Sequence, residues 1–367
     1  MNEVLHVKHF HCIPPPYGGV SVYVKRLSLA LTRQGFFSGA YYAHKIEGIP
    51  EAFLSLFDRY PKHIRSFFVL LCLPRLLKSV KNYKLIHSHA SLNSSFAVWI
   101  IHRLLGVPVV YTVHNQMIER EFGGLNRLDK WCIKSLAVDN QVQFIAVSQE
   151  GRRKMLNSGI VFRNDIKVIP AYIKPVEVGE PEDYLPYSLI RFIENKPFIL
   201  FYAQSIQFCD GTEIYGTCTM IDAFIQLRNK GLDINLVFCI AVPNDIMKLK
   251  ELKRLIYMNG LDDYVYWQEG AVSEMWPLIK KASLYVRPTS TDGDSILIRE
   301  VLFFGVPVLA SDVCVRPKQC ETYHFSNVSE LVSKASSLLE SKPIVSNDFV
   351  DYYNDICKVY SSLIDLS

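Results

Sequence analysis

LYVRPTSTDGDSILIREVLFFGVPVLASD, residues 284–312, holds an apolar run, a polar turn, a helical stretch and a second apolar run. Leu284–Val286 and Val306–Leu309 are short and continuously apolar, as strands buried on both faces are. Between them Ser295–Phe304 has helical periodicity, and Pro288 and Gly293 break the chain ahead of it. Strand, loop, helix and parallel strand make the repeating unit of a doubly wound sheet. In such a sheet the loop that leaves a strand and enters a helix lies at the carboxyl edge, where ligands bind. Arg287, Asp292 and Gly293 stand on that loop. Gly293 and the free N–H groups of Asp294, Ser295 and Ile296 can cup a sugar or a pyrophosphate at the helix N-terminus. Glu300, eight residues beyond Asp292, lies inside the helix beside Arg299. Its carboxylate can accept two hydroxyl donors from a ribose. The same residues also read as an ordinary turn, N-cap and solvated helix face, and Asp292-Gly293-Asp294 matches an acid-x-acid pattern that can bind a cation on a diphosphate.

The alternation continues outward from this segment. Further strands are expected near Val4–Phe10, Leu85–His87, Val109–Thr112, Phe144–Val147 and Lys167–Ile169, then near Phe198–Tyr202, Asn235–Ile240 and Val265–Trp267. Helices are expected at Val20–Gln34, where Val20, Val24, Leu27 and Leu31 share a face, and at about Thr219–Lys230. Pro170, Pro175, Pro181 and Pro186, mixed with acids, break both periods and mark a linker. A chain of 367 residues has two cores by default. The expected fold is α/β, two Rossmann-like doubly wound parallel-sheet domains facing a cleft. They occupy residues 1–175 and 176–345, with a C-terminal helix in 346–367 packing back toward the first.

Charge divides the chain as well. Lys and Arg outnumber Asp and Glu 23 to 10 in residues 1–175 and are outnumbered 17 to 26 beyond. Arg59–Ile118 contains no acid, while Arg59, Lys62, Arg65, Arg75, Lys78, Lys81, Lys84 and Arg103 are basic. Phe67–Leu71, Leu73, Leu76 and Leu77 lie among those cations, and an apolar stripe fringed by positive charge suits an anionic membrane face. A solvated face over an ordinary helix pair gives the same pattern. No nucleic-acid-binding motif accompanies the charge, so nucleic acid is not an expected partner. Nine scattered cysteines without a CxxC pair exclude a zinc knuckle and a disulfide framework. His9/His11 and His87/His89 form His-x-His pairs with no third ligand evident, so no metal is expected. The first ten residues lack the apolar core of a signal peptide, and no uninterrupted apolar stretch reaches the roughly 18 residues of a membrane span. The expected location is cytoplasmic, peripheral at the inner face of the membrane.

Gly18-Gly19 joins the first strand to a helix, a place where backbone N–H groups approach a phosphate closely, or where a chain simply turns. Together with Ile86-His87-Ser88-His89, Thr112-Val113-His114-Asn115, Ile145-Ala146-Val147-Ser148, Val168-Ile169-Pro170 and Asp292-x7-Glu300 followed by Phe304–Asp312, it resembles the family 4 glycosyltransferases of the GT-B fold over almost the whole chain. The resemblance implies retaining transfer of a sugar from a nucleoside diphosphate sugar, with no metal or other cofactor. It implies that Gly18 and Gly19 contact the donor phosphates, and that His114 lies near the transferred sugar. It places Asp292 where the family has a sugar-contacting glutamate, and Glu300 on the ribose. Gly270, Ala271 and Val272 would lie beside the base.

Three departures stand out. The family's diphosphate-binding Arg and Lys are replaced by Gln204 and by Tyr215 before Gly216, leaving Arg287 or Arg299, or the helix N-termini, to carry the compensation. Ala171-Tyr172 replaces the Asn-Gly usual after Ile-Pro, and Asp292 is one methylene shorter than Glu. The acceptor implied by the basic half is a glycan or a polyprenyl-linked intermediate of surface polysaccharide (O-antigen, capsule or exopolysaccharide) synthesis. A sugar-nucleotide epimerase on the same fold and a non-catalytic nucleotide-sugar-binding scaffold are the alternatives.

Overall fold

The computed structural model describes residues 6–10, 19–33, 37–41, 73–74, 77–78, 80–89, 95–114, 118–175, 177, 179–194, 196–209, 211–272, 274–292, 295–345 and 352–364. It divides into two compact units, one of Met1–Ile173 with Asp351–Ser367 and one of Lys174–Val350.

The first unit is built on strands β1 (His6–Phe10), β2 (Phe37–Tyr41), β3 (Leu85–Ser88), β4 (Val109–Val113), β5 (Val142–Ala146) and β6 (Lys167–Val168). They form one parallel sheet in the order β2-β1-β3-β4-β5-β6. Helices α1 (Gly19–Arg33), α2 (Ser95–Leu105), α3 (Ile118–Gly123), α4 (Arg127–Ala137) and α5 (Gln149–Asn157) connect them. The centre of the sheet is covered on both faces: every residue of β3, β4 and β5 is buried. Tyr111 stacks on Phe144 at 5.4 Å in a core that includes Ile86, Ile133 and Met155.

The second unit holds α6 (Tyr187–Ile193), β7 (Phe198–Ser205), a small antiparallel hairpin of β8 (Phe208–Cys209) and β9 (Thr212–Glu213), α7 (Thr217–Asn229), β10 (Asn235–Val242) and α8 (Ile246–Met258). Then follow β11 (Val265–Glu269), α9 (Trp276–Ile279), β12 (Leu284–Arg287), α10 (Ile296–Phe303), β13 (Val308–Ser311), β14 (Glu321–Tyr323) and α11 (Val328–Ser341). The main sheet is parallel in the order β11-β10-β7-β12-β13-β14. Phe201 of β7, Phe224 of α7 and Phe238 of β10 are wholly buried in one core, each contributing about 1.5–3 kcal/mol by the area it removes from water.

Every strand expected from the sequence is present, and so are the three expected helices at Gly19–Arg33, Thr217–Asn229 and Ile296–Phe303. Each sheet carries one strand more than expected, and both extra strands are edges. The run of β2 is interrupted by Gly39, and β14 is three residues beginning with Glu321, so neither offers the double-faced apolar run by which the inner strands are read.

The last helix, α12 (Tyr353–Ile364), belongs to the first unit. Its face of Ile356, Val359, Tyr360 and Leu363 is buried, and the Tyr352 N–H donates to the Tyr172 carbonyl at 3.1 Å. No helix among the described residues is long and apolar enough to cross a membrane. Of the basic segment, Lys78, Lys81 and Lys84 are exposed, whereas Arg59–Phe68 and the run up to Cys72 lie outside the described residues.

Candidate active site

Strand order alone places a crevice in each unit. In the second unit the chain starts at β7, winds to β10 and β11 on one side, then returns to β12, β13 and β14 on the other. The loops after β7 and β12 therefore diverge, and the carboxyl ends of these two strands border the switch point where doubly wound sheets bind ligands. In the first unit the same reasoning selects β1 and β3.

At the second unit's switch point two loops are laced together. Gly216, the N-cap of α7, has φ 71°, and a Cβ there would stand 2.2 Å from the Pro288 carbonyl oxygen. Only glycine fits both the left-handed backbone and that approach. The Ser290 N–H donates to the Ile214 carbonyl at 2.9 Å. Glu213, at the end of the hairpin, accepts from the Thr217 N–H at 2.7 Å, from the Thr217 hydroxyl, and from the Cys218 N–H at 3.2 Å. Its carboxylate thus occupies the first turn of α7.

Asp292 is gripped by two guanidinium groups. Arg287 donates side-on, Nε to Oδ2 at 2.7 Å and Nη2 to Oδ1 at 3.1 Å, and Arg316 donates Nη1 to Oδ2 at 2.7 Å. The side chains of Arg287, Asp292 and Arg316 are 10%, 9% and 3% exposed. Burial works against the carboxylate charge, but Arg287 first and Arg316 second outweigh it and hold the group below the usual carboxylate range. Arg316 is braced further by Nε donating to the Ser311 carbonyl at 3.0 Å. Ser311 in turn donates to the Thr289 carbonyl at 2.6 Å.

The residues expected on the donor side of this unit lie on β7, on α10 and after β11. Gln204 lies on β7 and accepts from the Tyr202 hydroxyl at 3.1 Å. Ser295 caps α10, its hydroxyl accepting from the Ile298 N–H at 3.4 Å, and Ile296 opens the helix. Arg299 is half-buried and Glu300 buried on the second turn. Gly270, with φ 99°, follows β11, and its N–H donates to the Ile240 carbonyl at 2.9 Å. Ala271 is exposed and Val272 half-buried beside it, two strands away from β7. Gly293 and Asp294 lie outside the described residues. Arg316 and Glu213 were not legible: nothing in the sequence brings residue 316 to Asp292, and the hairpin that delivers Glu213 is too short to read.

In the first unit the carboxyl ends of β3 and β4 carry a layer of imidazoles. His87 is wholly buried, with Nδ1 2.6 Å from the Tyr360 hydroxyl and Nε2 2.7 Å from Thr112 Oγ1. Both ring nitrogens of His87 are thus within hydrogen-bonding distance of hydroxyls of the protein itself. His89 Nδ1 lies 3.1 Å from His114 Nε2, and Tyr23 packs edge-on against both rings. Gly19 is exposed at the first position of α1, and Gly18 lies outside the described residues.

Two family models match this chain. Glycosyltransferase Family 4 covers residues 17–175 and Glycosyl transferases group 1 covers residues 205–341. Among solved structures, a glycosyltransferase from Rickettsia africae superposes with a TM-score of 0.70 at 13% identity, covering 100% of both chains. The Anabaena protein Alr3699/HepE in complex with UDP gives 0.67 at 16%, over 98% of this chain and 100% of that one. The lipopolysaccharide outer core galactosyltransferase WaaB gives 0.60 at 12%, over 98% and 99%. At such identities the likeness is one of fold. No curated protein matches. Two parallel-sheet units with crevices at their switch points, matched in turn by these two models, make the chain a glycosyltransferase of the GT-B fold. Within that class its first unit resembles Glycosyltransferase Family 4.

Proposed function

We propose that the enzyme moves a sugar, with retention of configuration and without a metal, from a nucleoside diphosphate sugar to a glycan or polyprenyl-linked acceptor in surface polysaccharide synthesis. The observation that carries the donor side is the second unit's crevice, where buried cations and the start of α10 gather at the switch point between β7 and β12. Departure of a nucleoside diphosphate places growing negative charge on phosphate oxygens, and fixed positive groups in a site of low dielectric stabilise it. Glu300, buried on α10, supplies a carboxylate for ribose hydroxyls. In the second unit Gly270–Val272 border the base and the backbone of Gly293 and Asp294 is offered to the phosphates, while Gly18 and Gly19 are the first unit's candidate phosphate contacts. His114, held by His89, is the group offered to the transferred sugar. Asp292 can serve the sugar only through an oxygen it now gives to an arginine.

The UDP complexes of the Anabaena protein support a nucleotide-sugar donor, and the galactosyltransferase WaaB supports a glycan acceptor. The exposed Lys78, Lys81 and Lys84 support peripheral contact with an anionic membrane at the cytoplasmic face. A panel of nucleotide sugars screened by saturation-transfer NMR, then offered with polyprenyl-linked saccharides, tests the reading. Turnover that persists in excess EDTA and yields product of unchanged anomeric configuration is expected. Turnover abolished by EDTA and rescued by magnesium or manganese, or an inverted product, refutes the metal-free retaining part. Absence of any donor binding refutes the whole.

A further inference from the structure

Among the described residues two guanidinium groups share one carboxylate, which leaves one positive charge in excess, and all three side chains are almost wholly buried. A buried charge is costly unless matched by an anion or by complete hydrogen bonding. Neither arginine is fully served. Nη2 of Arg316 has only 3.4 Å contacts, to Thr289 Oγ1 and Ser311 Oγ, and Nη1 of Arg287 only a 3.4 Å contact, to the Tyr285 hydroxyl. Good hydrogen bonds from nitrogen are about 2.7–3.2 Å long.

Two hydroxyls in the same sheet are also buried without a partner among the described residues: Ser205 Oγ at the carboxyl end of β7, and Tyr323 Oη on β14. Tyr323 lies within the field of Arg316, which opposes the upward push of burial on its hydroxyl. Buried polar atoms are rarely left unpaired unless something comes to meet them. The other anion-receiving feature nearby is already filled, since the Glu213 carboxylate holds the first-turn donors of α7. A phosphate entering this crevice therefore finds α7 closed and the arginine pair open.

Resting on the donor reading above, we infer that Arg287 and Arg316, with Asp292 as their resident counterion, are the cations that receive the donor diphosphate in place of those missing at Gln204 and Tyr215. A guanidinium fork matches phosphate oxygens two at a time, which a lone helix turn does not. Asp292 on this reading is a placeholder anion, and diphosphate competes with it for the arginines.

Calorimetric titration of the full chain with pyrophosphate, UDP and uridine tests this, alongside thermal unfolding. Arg316→Gln is expected to lose tenfold or more in affinity for pyrophosphate and UDP while uridine binding stays unchanged. Arg316→Lys, which keeps the charge and loses the fork, should lose less, and it guards against a misfolded glutamine variant. Asp292→Asn is expected to bind pyrophosphate more tightly than the native chain, and to gain more in melting temperature from it. A folded Arg316→Gln variant with native pyrophosphate affinity, or an Asp292→Asn variant that binds pyrophosphate more weakly, overturns the inference and leaves the donor reading standing. A native chain that binds pyrophosphate through Arg316 but no nucleoside diphosphate overturns the donor reading instead.

Discussion

Gly216→Ala is expected to be among the most damaging single-methyl additions in the second unit. The new Cβ would lie 2.2 Å from the Pro288 carbonyl oxygen and 2.9 Å from its carbonyl carbon, both backbone atoms that no rotamer change can move. Ordinary contact requires one loop to retreat by about 1 Å, against the Ser290–Ile214 hydrogen bond that joins them. To that is added the left-handed backbone at φ 71°, worth roughly 1–2 kcal/mol for a residue with a side chain. Overpacking of this kind costs about 1–3 kcal/mol more, so the sum is about 2–5 kcal/mol out of a typical 5–15. Gly231→Ala is the control, because Gly231 has φ 87° with nothing within 4 Å of its Cβ position. It should lose only the backbone share. Urea unfolding followed by tryptophan fluorescence measures both, Trp267 and Trp276 reporting on this unit. Equal losses for the two variants would refute the close approach. Because Pro288 begins the loop that carries Asp292, Gly216→Ala should also weaken nucleoside diphosphate binding.

Other outcomes follow from the same geometry. Glu300→Ala should weaken binding of the nucleoside diphosphate by roughly 1–3 kcal/mol; unchanged affinity in calorimetry of a variant shown to be folded would mean that the carboxylate does not hold the ribose. His89→Leu should lower the turnover number by about tenfold or more while the donor KM changes little, and His89→Asn, which keeps a hydrogen-bonding atom near His114, should recover much of it; initial-rate kinetics decide, and parallel losses in both variants would make the contact mere packing. Asp292 has its proton affinity lowered in the fold, so its contribution to stability is present above the ordinary carboxylate pKa of about 3.9 and is lost as pH falls below it. Melting curves between neutral pH and about pH 3 should therefore show an acid limb that Asp292→Asn flattens. Liposome co-sedimentation should increase with anionic lipid, weaken with salt, and fall when Lys78, Lys81 and Lys84 are replaced by Glu; indifference to all three would leave the basic half without a membrane role.

Inner strands such as β7, β10 and β12 were legible because burial on both faces demands unbroken apolar runs, and Phe198–Phe201 or Leu236–Ile240 can hardly be read otherwise. The edges β2 and β14 face that demand less and hid among turns. The loop at Asp292 announced itself through a break between periods, yet its partners did not. Arg316 reaches Asp292 only because β13 pairs with β12 and carries the following loop back, a fact of sheet order rather than of local spacing. Glu213 is an acid just ahead of a helix, a signal the macrodipole makes intelligible once the helix start is known, but a two-residue strand pair leaves no pattern to find it by. His87 and His89 were visible as a pair. That one of them is bonded to Tyr360, 273 positions away, was not.

That last bond has a consequence for biosynthesis. Tyr360 stands on α12, and the chain between Ile173 and Asp351 belongs entirely to the second unit. At a synthesis rate of about 5–20 residues per second, the ribosome spends on the order of ten to forty seconds on that stretch. Throughout that interval the first unit lacks Ile356, Val359, Tyr360 and Leu363, and the buried imidazole of His87 lacks one of its two partners. The second unit, contiguous in the chain, can close its core while still tethered. The unit that is made first is thus the one completed last, and a ribosome that stalls anywhere before residue 353 releases a first unit with an open apolar seam, a natural substrate for chaperones and proteases.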